Sequence, residues 1–191
     1  MKRLHVVVEG HGDVEAVPAL AARVLHHLER EGWIVHRVAS RIPRGRIVGA
    51  GPAAQGRPLA AGLELAVGFA RAARADALLV VVDADDDCPA SFGPEAAQLV
   101  TQGIPASVVM AVREFETWLA MAVDASIRDE RRRRDGKGVL RKFMPGYKPT
   151  VHQAALAKKV DVAGLLKRQP RSFVKFVRDL DRLTGGDSTR S

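Results

Sequence analysis

The chain has 191 residues, 47% of them hydrophobic and 27% charged, with 30 Lys and Arg against 22 Asp and Glu. That length supports one substantial core with a small appendage and argues against two full domains, while the formal charge of +8 favours polyanionic partners such as nucleic acid. A lone cysteine, Cys88, excludes an internal disulfide and a Cys-rich zinc site. The opening "MKRLHVVVEG" starts like a signal peptide, but its apolar run stops at Glu9. No stretch reaches the roughly 18 apolar residues of a membrane span, so the chain reads as cytoplasmic, with no membrane partner.

In chain order, "LHVVV" (4–8) predicts a strand. Residues 13–32 predict a helix, with apolar positions at 14, 17, 20, 21, 24, 25 and 28. A strand follows over 33–39, and the Gly-, Pro- and Arg-rich stretch 41–58 reads as a long loop. Helix is expected over 59–74, strand over 77–82, a short helix over 94–102 and strand over 107–112. This alternation predicts an α/β fold, a mostly parallel sheet with helices on both faces. The character changes after about residue 124. Between 128 and 178, 16 Lys and Arg stand against 4 Asp and Glu, with helical spacing and no strand pattern. The expected organisation is an α/β domain over 1–124, a basic helical extension over 125–183 packed on it, and a flexible tail over 184–191. The run Arg131 to Arg134 reads first as a solvated loop or helix face, and only second as a nucleic-acid contact.

"LLVVVDADDD" (78–87) sets Asp83, Asp85, Asp86 and Asp87 directly after a buried-type strand. Ligands of an open parallel sheet sit beyond the carboxyl ends of its strands. If strands 4–8 and 77–82 are neighbours, Glu9, Asp83 and Asp85 converge there, and Asp13 joins them from the first turn of the next helix. Such hard oxygen ligands suit Mg²⁺ or Mn²⁺. Singly, each acid has a plainer role: Asp13, Asp86 or Asp87 as a helix cap, Glu9 as the partner of an arginine. In "VREFETWLAM" (112–121), Phe115, Trp118, Leu119 and Ala122 form an apolar helix face. Glu114 and Glu116 cannot point the same way on a regular helix, yet at a strand-to-helix turn either can reach the site. "GPAAQGRP" (51–58) fails as a phosphate loop because Arg57-Pro58 replaces Lys-Ser/Thr, and Pro52 breaks the dinucleotide spacing of "GAGPAAQG". His26 and His27 read as surface residues, and the aspartates beside Cys88 disfavour its thiolate.

"VVVEGHGD" followed by "LLVVVDADDD" resembles the signature of the Toprim fold, shared by topoisomerases, primases and OLD-family nucleases. "REFETWL" and the stretch from "YKPTVHQAALAKKV" to "SFVKFVRDLDRL" are similar to the Toprim-like family called domain of unknown function 4276, so the resemblance covers nearly the whole chain. It implies that Glu9, Asp83 and Asp85 hold Mg²⁺ (or Mn²⁺) for phosphodiester chemistry. Asp13 stands where nuclease-type relatives carry a Glu one methylene longer. The only tyrosine, Tyr147, lies in the basic tail, which argues against a topoisomerase. The expected function is a Mg²⁺-dependent nuclease or related phosphoryl-transfer enzyme acting on nucleic acid, in a phage-defence setting. Glu9, Glu114 and Glu116 are its candidate catalytic acids, and Arg113, Lys148 and Lys159 its candidates for neutralising the substrate backbone. The alternative is a non-catalytic Toprim-like partner or sensor subunit working beside an ATPase partner protein.

Overall fold

A computed structural model describes residues 1–50, 55–100, 103–130 and 135–185. Two apolar runs make its centre. β1 (Lys2–Val8) and β4 (Ala77–Asp83) pair in parallel, from Leu4 opposite Ala77 to Val8 opposite Val81. β4 is buried along almost its whole length, as a strand covered on both faces must be. β5 (Ala106–Ala111) extends the sheet beyond β4, and β2 (Trp33–Val35) lies outside β1, giving the order β2-β1-β4-β5 with every pairing parallel.

The segment read as one strand over 33–39 is strand only at its start, β2, and a further short strand begins just beyond it. That strand, β3 (Ser40–Arg41), returns to pair with the upper end of β1. α1 (Asp13–His27) stops five residues earlier than its apolar stripe suggested. Glu29 adopts a left-handed φ of 57° that no helix continues through, while Leu28 still packs against the core.

Helices cover both faces. α1 and the C-terminal helices bury Leu4, Val6, Val8, Leu79 and Val81 on one side. On the other, α2 (Arg44–Ile47), α3 (Ala60–Ala72) and α4 (Pro89–Val100) bury Val7, Leu78, Val80 and Val82. The region read as the loop 41–58 is therefore partly structured: α2 lies within it, and Ile42, Ile47 and Val48 are buried. After β5 come α5 (Glu116–Val123), α6 (Gly136–Phe143), α7 (Pro149–Ala157), α8 (Val162–Leu166) and α9 (Arg171–Leu183). α9 presents Phe173, Phe176, Val177, Leu180 and Leu183 to the core at helical spacing. The Trp118 ring on α5 lies 5.6 Å from Phe173 and 5.1 Å from Phe176, and its indole N–H donates to Ser172 Oγ at 2.8 Å. The basic helices thus share the core of the sheet. Among the described residues no helix is long and apolar enough to cross a membrane. The run Arg131 to Arg134, part of each glycine motif at 49–58, the end of the 94–102 helix and most of the tail lie outside the described residues.

Candidate functional site

The parallel pairing of β1 with β4 puts Glu9 and Asp83 at the same carboxyl edge of the sheet. Alternation along the two strands then sends them to opposite faces. Glu9 continues the side of Val7, towards α2, whereas Asp83 continues the side of Val81, towards α1 and α5. The acids consequently form two halves that meet at this pair.

In the α2 half, the Arg44 guanidinium gathers three carboxylates. Nη1 lies 3.5 Å from Glu9 Oε2, Nε lies 3.3 Å from Asp85 Oδ2, and Nη2 binds Asp87. The same side chain also donates to the carbonyl of Asp83. Burial pushes the Glu9 carboxyl up to about 7, and the charges of Asp85 and Asp13 add to this while Arg44 opposes it.

In the α1/α5 half, Asp13 opens α1 with 7% exposure and accepts a hydrogen bond from Gln153 Nε2 at 2.9 Å. A side chain at Gly10 would push the Asp13 carboxylate from its place, so the glycine leaves room for it. Asp83 Oδ1 accepts from the Phe115 N–H at 2.7 Å. Burial first, then the charges of Asp13, Glu9 and Glu116, hold its carboxyl well above the usual range. Burial likewise raises Asp13, and it lifts Glu116 to about 7 against the pull of Lys137. Glu114 and Glu116 do reach the same place, because Glu114 sits in the turn before α5. Lys137 Nζ is 2.6 Å from Glu114 Oε2 and 3.6 Å from Glu116 Oε1, and its N–H donates to Glu114 Oε1 at 3.0 Å. Burial disfavours the Lys137 charge, but the hydrogen bond it donates to Glu114 and the charge of Glu116 leave its pKa above the usual lysine value. α6 can come this close because its first residue is glycine: a Cβ at Gly136 would lie 2.7 Å from the Thr117 nitrogen.

Arg113 and Asp85 both adopt left-handed backbone, φ 66° and 47°. Each costs about 1 kcal/mol, and they lock the two loops together through an Asp85 N–H to Arg113 carbonyl bond of 2.9 Å. The Arg113 side chain pairs with Asp86 at the rim of the cluster. Lys148 precedes α7 with an exposed side chain. Lys159 lies past the other end of α7, exposed, and contacts none of the carboxylates among the described residues. The structure therefore gathers Glu9, Asp13, Asp83, Asp85, Glu114 and Glu116, keeps Arg113 at the margin and leaves Lys159 outside. Arg44, Lys137, Gln153 and Tyr147 are the site residues that motif reading missed. "RIPRGR" offers three arginines with nothing to single out Arg44, and nothing in the local spacing singles out Lys137.

Of the seven carboxylates here, Glu9, Asp85 and Asp87 pair with Arg44, Glu114 and Glu116 pair with Lys137, and Asp13 and Asp83 have no ion pair among the described residues. Glu9 Oε2, Gln153 Oε1 and the Tyr147 hydroxyl are buried without a hydrogen-bond partner. Tyr147, 4% exposed, has its phenol raised above the usual value by burial and by the charges of Glu116 and Asp13. Excess negative charge and orphaned hard oxygens fit a divalent cation in kind. In this arrangement, however, no three ligating side chains among the described residues stand together as a metal cage, since Arg44 and Lys137 hold the acids in separate halves. Fold and site together define an α/β protein with a parallel sheet and an acid cluster buried at its carboxyl edge. No protein-family model and no curated protein matches the chain.

Proposed function

We propose that the protein is a Toprim-type, Mg²⁺- or Mn²⁺-dependent phosphodiesterase acting on nucleic acid. One observation carries the reading: buried carboxylates from two adjacent parallel strands, under-compensated by cations, at the edge where such sheets bind ligands. Glu9, Asp83 and Asp85, with Asp13 or Glu116, are the residues that would hold the ion, which when bound supplies charge stabilisation to a phosphate. Asp83 is fixed by the Phe115 N–H, so it is an oriented acceptor. Arg113, which pairs with Asp86 at the rim, would meet a phosphate once Asp86 releases it. The test is a thermal shift with Mn²⁺ followed by incubation with DNA and RNA. A metal-dependent rise in Tm with hydrolysis supports the reading, and absence of both sinks it.

The alternative is a non-catalytic partner or sensor subunit associated with an ATPase in phage defence. It is favoured by Arg44, which already neutralises part of the acid cluster from within the chain. Under that reading Mn²⁺ leaves Tm unchanged and the acids serve only to anchor α2.

A further inference from the structure

β5 forms one margin of the sheet, and along its outer edge a groove of about 830 Å³ runs between α4 and α9. Its volume falls in the range of small-molecule sites. Val108 and Met110 of β5 and Pro94 and Ala97 of α4 give it an apolar floor, and Asp85 and Asp86 line the end that opens on the carboxylate cluster.

The opposite wall carries Arg171, Lys175 and Arg182 against Glu130 and Asp179. Lys175 is committed to Asp179, and Arg113 to Asp86, while Glu130 is occupied by the N–H and hydroxyl of Ser172 at 3.1 and 2.6 Å. Arg171 and Arg182 remain without a carboxylate partner among the described residues, and both face the groove. Arg171 and Arg182 therefore offer positive charge to a ligand, against the one carboxylate of Glu130 on the same wall.

The strand edge itself is already capped. Arg182 donates to the Ala106 carbonyl at 3.4 Å, Lys175 donates to the Val108 carbonyl at 3.0 Å, and Ser172 Oγ accepts the Val112 N–H at 3.2 Å. An added peptide strand would have to displace all three, which disfavours a polypeptide occupant.

We propose that the groove holds single-stranded nucleic acid, with a base against the apolar floor and phosphates along Arg171 and Arg182, leading the strand towards the carboxylates. This rests on the phosphodiesterase reading and names its substrate class. An unpaired strand exposes base faces for an apolar floor, whereas a duplex hides them.

Gly93 lines this groove, and a Cβ built there meets nothing within 4 Å. Gly93→Trp therefore projects an indole into the groove, and loss of a helical glycine favours α4. The experiment measures fluorescence anisotropy of one labelled oligonucleotide, single-stranded and as a duplex, with the full chain in EDTA. Wild type is expected to prefer the single strand, and Gly93→Trp and Arg171→Glu each to lose at least tenfold in affinity with Tm unchanged. Wild-type affinity in both variants, or equal binding of duplex, overturns the proposal. A Mn²⁺ thermal shift on the same proteins separates the two ideas. Its absence from wild type rejects the metal reading alone, and its survival in the variants confines their defect to the groove.

Discussion

Asp83 has one hydrogen bond worth keeping and a charge that the apo protein is better without. Its Oδ1 accepts from Phe115, a bond that an asparagine oxygen also makes, while its charge is opposed by burial and by Asp13, Glu9 and Glu116. Asp83→Asn is therefore expected to raise the apo Tm at pH 8 by about 2–4 °C, equivalent to about 1 kcal/mol at this chain length. It should also abolish any Mn²⁺-dependent rise. A destabilised variant would instead mean that the charge has an internal partner. Glu9 and Glu116 predict a pH dependence of known sign. Both titrate near 7 in the folded protein against an ordinary 4.5, so the folded state binds more protons than the unfolded state across that window. Their contribution is full below about 4.5 and is lost as pH rises through 7. In EDTA, Tm should fall between pH 5 and pH 8, and saturating Mn²⁺ should flatten the fall. A metal-free Tm that climbs through this range would contradict the placement of both acids.

At the scale of elements, α2 matters more than its four residues suggest, because it carries Arg44 to Glu9, Asp85 and Asp87. Arg44→Ala leaves those acids with no described ion-pair partner, so the apo Tm should drop while Mn²⁺ binds about tenfold tighter or more by isothermal titration. Unchanged Mn²⁺ affinity would show that arginine and metal do not compete. Nothing in the sequence announced this residue. The adjacency of β1 and β4 was legible because two short, continuous apolar runs each ended in acids, which is what buried parallel strands look like. Glu9 and Asp83 could be placed at one edge for the same reason. Their division between two faces depends on register, and Arg44 depends on the path of a Gly- and Arg-rich segment whose side chains carry no periodicity. Lys137 reaches Glu114 only because Gly136 lets α6 touch α5, a packing fact that local spacing does not encode. The shortening of the 33–39 strand to β2, with β3 following at Ser40–Arg41, likewise goes with a β1 long enough to pair with both.

For the whole molecule, the charge split marked a basic helical extension packed on the α/β domain, and the helices of that extension share the domain's core. Phe173, Phe176 and Leu180 are fully buried with Trp118 and the strand residues of β1 and β4, and Gln153 binds Asp13 across 140 positions of sequence. Burying three large side chains contributes about 5–9 kcal/mol, comparable to the entire stability of a domain at about 5–15 kcal/mol. A chain ended at Val123 would also expose Trp118 and the α1 face beneath α7. It should therefore fail to unfold cooperatively, lose near-ultraviolet circular dichroism and bind a hydrophobic dye at 25 °C. Nucleic-acid affinity of the extension has to be read from charge substitutions such as Arg171→Glu in the full chain, with salt as the second variable, because counterion release makes phosphate contacts weaken steeply as ionic strength rises. A truncated chain that melts sharply near the wild-type Tm would show that the sheet with α1–α5 is self-sufficient, and that Phe173, Phe176 and Leu180 cover an already stable unit.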